Sequence, residues 1–349
     1  MPRQVRIGQR LVGDNCPVLI VAEAGVNHDG SVDEALRLVD AAAEAGADVV
    51  KFQAFRAAEL ATAAAAAARY QAARGAKSQR ALLERLELAD RDFERIEAHC
   101  RARGIEFLVT PFGPADVARL VRLGVSALKI ASTDLTNPPL LRRAAETGLP
   151  LVVSTGAATA DEIAASVAWL RAWQAGERLI LLHCISGYPA PLAAANLRAI
   201  AALRGLTGVP CGFSDHTDST AIAGWAVAAG ACMLEKHFTL DRTRPGPDHA
   251  MSLDPHELRA YVAAAREAET ALGTERIGTT QLQADVRSAA RKSIVAAVPI
   301  CAGTPLRPEL LTIKRPGGGI PPEELEAILG LHVAADVPAD TLLTWKLLH

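Results

Sequence analysis

Short, almost unbroken apolar runs alternate with amphipathic stretches along most of the chain. Such runs are typical of strands that are buried on both faces of a parallel sheet. Eight of them begin at Val18, Ala47, Ile105, Ala127, Pro150, Arg178, Val209 and Cys232. The stretches between them open on a capping residue or proline and close on glycine, as helices do. This alternation, from residue 18 to about residue 272, predicts an α/β fold, a (β/α)8 TIM barrel.

An open doubly wound sheet is the alternative architecture, but the chain lacks the Gly-rich βα turn that binds dinucleotides in such sheets. The pattern changes at about Gly273, where a polar connector precedes short β-like runs, prolines and the turn KRPGGG. We therefore predict a barrel over 1–272, a linker over 273–289 and a small β-rich domain over 290–349. The small core predicts that this last domain docks on the barrel or on a partner chain.

The length of 349 residues suits such a division, because single cores usually stop growing at about 250 to 300 residues. One long excursion is expected after the second strand, where the Ala-rich segment 61–73 favours helix.

Composition narrows the class of ligand. The formal net charge is -2, with 37 basic and 39 acidic residues interleaved, so neither nucleic acid nor a membrane surface is an expected partner. The six cysteines lack CxxC spacing and are expected to be buried thiols of a reducing compartment. The N-terminus has no apolar signal region and no run predicts a membrane span, so we expect a cytoplasmic protein that binds a small molecule.

Residues capable of chemistry follow the apolar runs at their C-terminal ends, where a (β/α)8 barrel builds its active site. They are Glu23, Lys51, Lys129, Ser132, Ser154, Ser186, Ser214, His216, Glu235 and His237. Lysine is costly in a core, so Lys51 and Lys129, together with the serines, indicate an anionic ligand such as a phosphate or carboxylate. The alternative is that a lysine reaches solvent or pairs with Glu23 or Glu235.

His216 and His237 follow neighbouring strands and could share one divalent ion. Two imidazoles would leave room for water and a substrate oxygen, so the ion would act as a Lewis acid. The alternative is that each histidine is a hydrogen-bonding residue. Cys184 lies near them in the pattern and is interpreted as a core thiol.

Several motifs in a fixed order make the chain resemble a known family. The strings are AEAGVNHDGS, DVVKFQ, TPF, KIAS, STGAAT, HCISGYPAP, FSDHT, EKHFTLDRTRPGPDH and KRPGGGI. From about Ala22 to the C-terminus the chain resembles the sialic acid (nonulosonate) synthase family, which includes bacterial N-acetylneuraminate synthases. The small domain resembles that family's antifreeze-like (SAF, β-clip) module.

The resemblance implies a transferase that condenses phosphoenolpyruvate with N-acetylmannosamine or a related amino-sugar aldehyde. The products would be a nine-carbon sialic acid (nonulosonate) and phosphate. It assigns phosphoenolpyruvate to Lys51, Lys129, Ser132, Ser154, Ser186 and Ser214. It assigns a divalent ion, Mn²⁺ before Mg²⁺ or Co²⁺, to His216 and His237, where it would polarise the aldehyde. It assigns the sugar to Gln53, Tyr188, Asp248 and Arg315, the last from a partner subunit of a domain-swapped homodimer.

As the new bond forms, C2 of phosphoenolpyruvate becomes cationic and must capture water. Glu23 or Asp134 could orient that water and accept its proton. The chain departs from the family here, since Asp134 replaces a usual Glu and Thr133 a common Gly. Ser186 stands where several bacterial members have Asn, and Gly187 leaves an open position beside Tyr188. These departures affect the acceptor-sugar end of the site more than the phosphoenolpyruvate end.

Three other functions are open at this point. A legionaminate, pseudaminate or spore-coat sugar synthase would use the same reaction with a different aldehyde. A Schiff-base aldolase could use a barrel lysine. A binding or regulatory protein could keep the pocket without turnover, although the presence of Glu23, both lysines and both histidines argues against that.

Overall fold

The computed structural model describes residues 3–65 and 78–349. The chain forms two compact units, Met1–Gly273 and Thr274–His349. Positions 66–73 of the predicted Ala-rich helix lie outside the described residues.

The first unit contains a closed barrel of eight parallel strands, which confirms the predicted fold. The last strand pairs with the first, and every other strand pairs with its neighbours in chain order. The strands are β3 (Leu19–Gly25), β4 (Val49–Ala54), β5 (Glu106–Pro111), β6 (Leu128–Ile130), β7 (Leu151–Ser154), β8 (Leu179–Cys184), β9 (Cys211–Asp215) and β10 (Met233–His237). Each begins within one of the eight predicted apolar runs, and only β3 and β4 extend past their runs, by one residue each.

Helices connect these strands. Those described in the first unit are α1 (Val32–Glu44), α2 (Ala57–Leu60), α3 (Gln79–Glu84), α4 (Asp90–Arg103), α5 (Pro114–Leu123), α6 (Pro138–Ala145), α7 (Ala160–Ala172), α8 (Arg198–Thr207), α9 (Ile222–Ala228) and α10 (Pro255–Leu272). Their ends carry the predicted capping residues and glycines. Asp254 caps α10 through the backbone N–H of Glu257, and α4 ends on Gly104, whose φ of 68° suits glycine.

The strands bury both faces. Their outer residues pack against the helices in one large apolar core, with Ile20, Phe52 and Leu181 among them. Their inner residues form a separate cluster toward the N-terminal ends, which includes Val21 and Leu108. Because successive side chains alternate between faces, the residues that follow these inner positions by two point into the barrel as well.

An N-terminal hairpin was not predicted. It consists of β1 (Gln4–Ile7) and β2 (Arg10–Gly13), which pair antiparallel. Val5, Ile7 and Val12 join the inner apolar cluster of the barrel, and Arg10 forms an ion pair with Asp48 at 2.9 Å. The hairpin therefore covers the N-terminal end of the barrel with apolar side chains.

The second unit is small and rich in β structure. Its strands are β11 (Ser293–Ala296) and β12 (Leu311–Lys314), which pair antiparallel, and its helices are α11 (Ala284–Ala290) and α12 (Leu325–Ile328). Single β-bridges, such as Ile300 with Val337, extend the β structure. Its own apolar core includes Ile294, Leu306 and Val333.

All six cysteines are free thiols. Cys100, Cys184, Cys211 and Cys232 are buried as expected, but Cys301 is exposed and Cys16 is partly exposed, so the expectation of burial was wrong for these two. Among the described residues, no helix combines the length and the apolar character needed to cross a membrane.

Candidate active site

The inner face of the barrel changes character within two residues on several strands. Val21 is followed on the same face by Glu23, and Val49 by Lys51. Lys129, Ser214 and Glu235 occupy the equivalent part of β6, β9 and β10. These side chains are almost completely buried. The C-terminal half of the barrel interior is therefore polar and charged, as the sequence pattern predicted.

Two lysines and two glutamates form an ionic cluster, defined here as Glu23, Lys51, Lys129 and Glu235. Lys51 Nζ lies 2.8 Å from a carboxylate oxygen of Glu23 and 3.7 Å from one of Glu235. Lys129 Nζ lies 3.3 Å from Glu235. The alternative pairing of the lysines with these glutamates is thus realised, and Glu235 is shared between both ammonium groups.

Neutral groups complete the cluster. Lys51 donates a hydrogen bond to Thr110 Oγ1 at 3.1 Å, and Ser214 donates one to Glu235 at 2.9 Å. Gln53 donates to Glu23 at 3.1 Å. The carboxylates are therefore oriented from several strands at once.

The pKa values of the cluster show an uneven balance of charge. Burial raises the pKa of Glu23, and Lys51 offsets this only in part. Burial acts in the same direction on Glu235, but Lys129 and Lys51 hold its pKa down at about 2. Burial lowers the pKa of Lys129 by more than Glu235 raises it. Lys129 is therefore short of negative charge, and an anion beside it would stabilise its protonated form.

Predicted acceptor residues converge around Gly25. A Cβ atom at this glycine would lie 3.3 Å from Gln53 Nε2, 3.3 Å from Glu23 Oε1 and 3.6 Å from Asp248 Oδ2. The φ of Gly25 is 54°, a conformation that favours glycine. The structure thus brings together Glu23 from β3, Gln53 from β4 and Asp248 from the loop after β10.

A second convergence surrounds Gly156. A Cβ atom there would lie 2.4 Å from Ser186 Oγ, 2.9 Å from Cys184 Sγ and 2.9 Å from Ser132 Oγ. The backbone N–H of Gly156 donates to Ser132 Oγ at 3.0 Å. Two of the serines predicted to bind an anion are therefore neighbours, and Cys184 is part of the same wall of the pocket. The absence of a side chain at Gly156 keeps this space open.

Ser154 follows inner residue Val152 by two positions on β7 and is buried. Its hydroxyl has no hydrogen-bond partner among the described residues. A buried unpaired hydroxyl is costly. This group is consistent with the predicted contact to a ligand.

The two histidines lie next to each other, with ring centroids 5.5 Å apart. His216 Nδ1 lies 2.8 Å from the backbone carbonyl of Ile185, so this nitrogen carries the proton and Nε2 presents a lone pair. His237 Nδ1 is buried, has no hydrogen-bond partner among the described residues and lies 4.0 Å from Asp248. Tyr188 packs on His216 with its ring centroid at 4.4 Å.

Both imidazoles are held neutral, the form that binds metal. Burial and the proximity of His237 lower the pKa of His216 to about 4. Burial and Lys51 lower the pKa of His237 to about 3. The pair fits a divalent ion with two protein ligands. Groups of three or more such side chains, placed to hold a metal, do not occur in residues 3–65 and 78–349.

Asp134 lies on the short turn after β6, half-buried, and accepts a hydrogen bond from Asn137 at 2.9 Å. Burial raises its pKa, while the bonds from Asn137 and Thr133 oppose this. Of the two candidate bases, Glu23 belongs to the ionic cluster, whereas Asp134 is bonded to Asn137 on the turn after β6.

In the second unit, Arg315 is exposed and directly follows β12. The turn that carries it is held by Ser293, whose hydroxyl donates to the carbonyl of Pro316 at 2.9 Å and accepts from the N–H of Gly319 at 3.1 Å. Two hydrogen bonds therefore brace the KRPGGG turn that carries this arginine.

The sequence profile of the NeuB family matches residues 38–277, and that of the SAF domain matches residues 291–349. The first match covers more than half of the chain. The chain belongs to the NeuB family. The resemblance to the sialic acid synthases is thereby confirmed, together with the SAF module.

Several relatives match this chain over most of its length. The N,N'-diacetyllegionaminic acid synthase of Legionella pneumophila is 38% identical over 339 residues, 96% of this chain and 95% of that protein. The N-acetylneuraminate-9-phosphate synthase of Mus musculus is 33% identical over 334 residues, 95% and 92% of the two chains. The solved structure of the N-acetylneuraminic acid (sialic acid) synthetase of Leptospira borgpetersenii, in complex with citrate, is 35% identical, with a TM-score of 0.74 over 82% of this chain and 95% of that chain.

Some features of this NeuB-family site were not assigned from the sequence. Glu235 was expected near the histidines or beside a lysine, but its position between both lysines depends on strand register. Thr110 is the first residue of the TPF motif and the last but one of β5, and its place near a strand end could have marked it as a lysine partner. Gly25 and Gly156 lie in the quoted motifs, but their role as open spaces needs coordinates.

Proposed function

We propose that this NeuB-family protein condenses phosphoenolpyruvate with N-acetylmannosamine or a related amino-sugar aldehyde, releasing phosphate and forming a nonulosonate. The observation that carries the proposal is the pair of buried, neighbouring histidines beside a buried cluster that contains two lysines. This arrangement supports an electrophile-activating site and an anion site at the same barrel mouth as parts of the proposal.

Phosphoenolpyruvate would lie between the ionic cluster and the space around Gly156. An anion would stabilise the protonated form of Lys129, because burial lowers the pKa of this lysine by more than Glu235 raises it. Ser132, Ser154 and Ser186 would supply hydroxyl donors. The lysines would then stabilise the charge of the departing phosphate.

The aldehyde would lie between the histidines and Gly25. His216 and His237 would hold a divalent ion, for which Mn²⁺ is the first candidate, and this ion would supply Lewis-acid activation of the aldehyde. Asp248, Gln53 and Tyr188 would orient the sugar from the side of Gly25 and His216.

Glu23 is the better candidate for the base that orients and deprotonates the attacking water. Its carboxylate is held by Gln53 and Lys51, and its pKa is raised by burial, which makes it a stronger proton acceptor than an exposed carboxylate. C3 of phosphoenolpyruvate would bond to the aldehyde carbon, water would add to C2, and the C2–O bond to phosphate would break.

The proposal is tested by measuring phosphate release from phosphoenolpyruvate with a panel of free and 6-phosphorylated hexosamines, after chelation and after addition of Mn²⁺. The panel includes the aldehyde precursor of N,N'-diacetyllegionaminic acid, because the Legionella relative makes that acid. We expect metal-dependent release with at least one acceptor and a product mass equal to the sum of both carbon skeletons. Phosphate release that survives exhaustive chelation would exclude the metal, and trapping of an imine by borohydride would support an aldolase instead.

A second part of the proposal is that Arg315 completes the acceptor site of a partner subunit in a homodimer. It rests on the resemblance and on the exposed, braced turn that carries this arginine. Mixed dimers of an Arg315→Ala chain and a His237→Ala chain should regain activity, because one site of each mixed dimer is intact. Failure to regain activity after demonstrated subunit exchange would contradict the swap.

A further inference from the structure

The loop after β10, residues 238–254, carries Asp248 and is tied to the loop after β3 by side chains that the proposed reaction does not use. Asn27 Nδ2 donates to the carbonyl of Phe238 at 2.8 Å and to Ser252 Oγ at 2.9 Å. Ser252 Oγ in turn donates to the backbone carbonyl of Asp248 at 2.7 Å. The backbone of Asp248 is thus linked to the neighbouring loop through a continuous chain of hydrogen bonds.

A second tie is a buried histidine. His249 has no exposed surface, and its Nε2 lies 3.1 Å from both carboxylate oxygens of Asp29. Its Nδ1 lies 2.6 Å from Thr239 Oγ1. A carboxylate only accepts, so Nε2 carries a proton toward Asp29. Both ring nitrogens are therefore committed to bonds, one across the two loops and one within the loop after β10.

The backbone of the loop passes directly over this pair. A Cβ atom at Gly246 would lie 2.5 Å from His249 Cδ2 and 2.7 Å from Asp29 Oδ1. Arg244 closes the outer edge, with its Nη1 2.9 Å from Glu34 and 3.8 Å from Asp29. Any side chain at Gly246 would displace either the histidine or the aspartate.

We propose that Asp29 and His249 are positioning residues for the acceptor. They hold the loop after β10 so that Asp248 stays beside His237 and the open space at Gly25. The inference rests on the proposed function, since it assigns Asp248 to the sugar. Loss of the pair should weaken binding of the acceptor. Binding of phosphoenolpyruvate, which is proposed to lie on the opposite side of the pocket near Gly156, should not change.

The test compares Asp29→Gly with Asp29→Asn. Asp29 has a φ of 51°, which glycine and asparagine both tolerate, so neither change adds backbone strain. Asparagine keeps an acceptor for His249, whereas glycine removes it. We expect Asp29→Gly to raise the KM of the acceptor about tenfold or more and Asp29→Asn to restore most of it. The affinity for phosphoenolpyruvate, measured by calorimetry, should not change.

Trypsin cleavage after Arg242 reports on the loop without catalysis. Asp29→Gly should speed this cleavage, and Asp33→Ala, which removes an exposed aspartate from α1, should change neither cleavage nor kinetics. If Asp29→Gly does not fold, Gly246→Ala replaces it, because the added methyl displaces the same pair.

The outcomes separate the two claims. Faster cleavage with an unchanged acceptor KM would make the pair merely structural and overturn the positioning role. An equal loss of affinity for both substrates would also overturn it. If the wild-type chain converts no acceptor in the panel, the proposed function fails and the positioning role fails with it.

Discussion

The barrel interior has two halves that are built by the same strands. Toward the N-terminal ends, Val21, Val49 and Leu108 pack against the N-terminal hairpin in an apolar cluster. Toward the C-terminal ends, Glu23, Lys51 and their partners form a buried ionic cluster. The apolar half can contribute stability through burial, while the charged half costs desolvation free energy and is proposed to bind the substrates. Substitutions in the apolar half should therefore change the stability of the fold, and substitutions in the charged half should change substrate binding and turnover.

The largest effect is expected at the histidine pair. His237→Ala should reduce condensation to background, because one of the two proposed ligands for a divalent ion is lost, while calorimetry should still detect binding of phosphoenolpyruvate. His183→Ala is the matched control. His183 lies on β8, stacks on Phe213 and bonds to the carbonyl of Ala195, so its loss should affect stability rather than turnover. Normal turnover of His237→Ala would remove the histidine pair from the mechanism.

In the apolar half, Ile7→Ala should lower the free energy of unfolding by about 2 to 5 kcal/mol, since it leaves a cavity beneath the barrel. The kinetic constants of the folded enzyme should not change. Leu11→Ala, in the same hairpin but partly exposed, should have a much smaller effect on chemical denaturation. A changed KM for Ile7→Ala would mean that the two halves are coupled.

In the charged half, Lys129→Met should weaken binding of phosphoenolpyruvate by about 1.5 to 3 kcal/mol, through the loss of a charge-assisted contact. This corresponds to an affinity about ten- to a hundredfold lower. Lys236→Met is the control, because Lys236 is equally buried but pairs with Asp215 at 2.9 Å on the outer face. It should lower stability instead. An unchanged KM for phosphoenolpyruvate in Lys129→Met would contradict the anion site.

The smallest effect is expected at Ser214, which donates to Glu235. Ser214→Ala should weaken the binding of phosphoenolpyruvate by about 0.5 to 1.5 kcal/mol, as measured by calorimetry. Ser166→Ala provides the comparison, since Ser166 is buried in α7 and bonds only to backbone carbonyls. It should lower the melting temperature without altering affinity. Equal effects on affinity would show that the loss is not specific to the barrel mouth.

The sequence predicted the barrel strands and the location of the site, but neither the N-terminal hairpin nor the pairing of the buried charges. The barrel strands were recognisable because burial on both faces leaves continuous apolar runs, and the polar residue at the end of each run marked the site. The hairpin was missed because Gln4–Gly13 mixes apolar and charged residues in strands of only four residues. The sharing of Glu235 between Lys51 and Lys129 depends on register and side-chain conformation, which no linear pattern contains. Asp134 shows the same limit, since its bond to Asn137 sets it apart from the cluster.

The ionic cluster contains as many carboxylates as ammonium groups, although the carboxylates do not fully offset the burial of Lys129. An incoming anion would therefore stabilise Lys129 while competing with Glu235 for the lysines, and its net gain is the difference between two sets of pairings. A ligand designed for such a pocket should donate a hydrogen bond to Glu235 when it displaces this carboxylate from the two lysines. A compound that offers only negative charge would have to displace a carboxylate without compensating it.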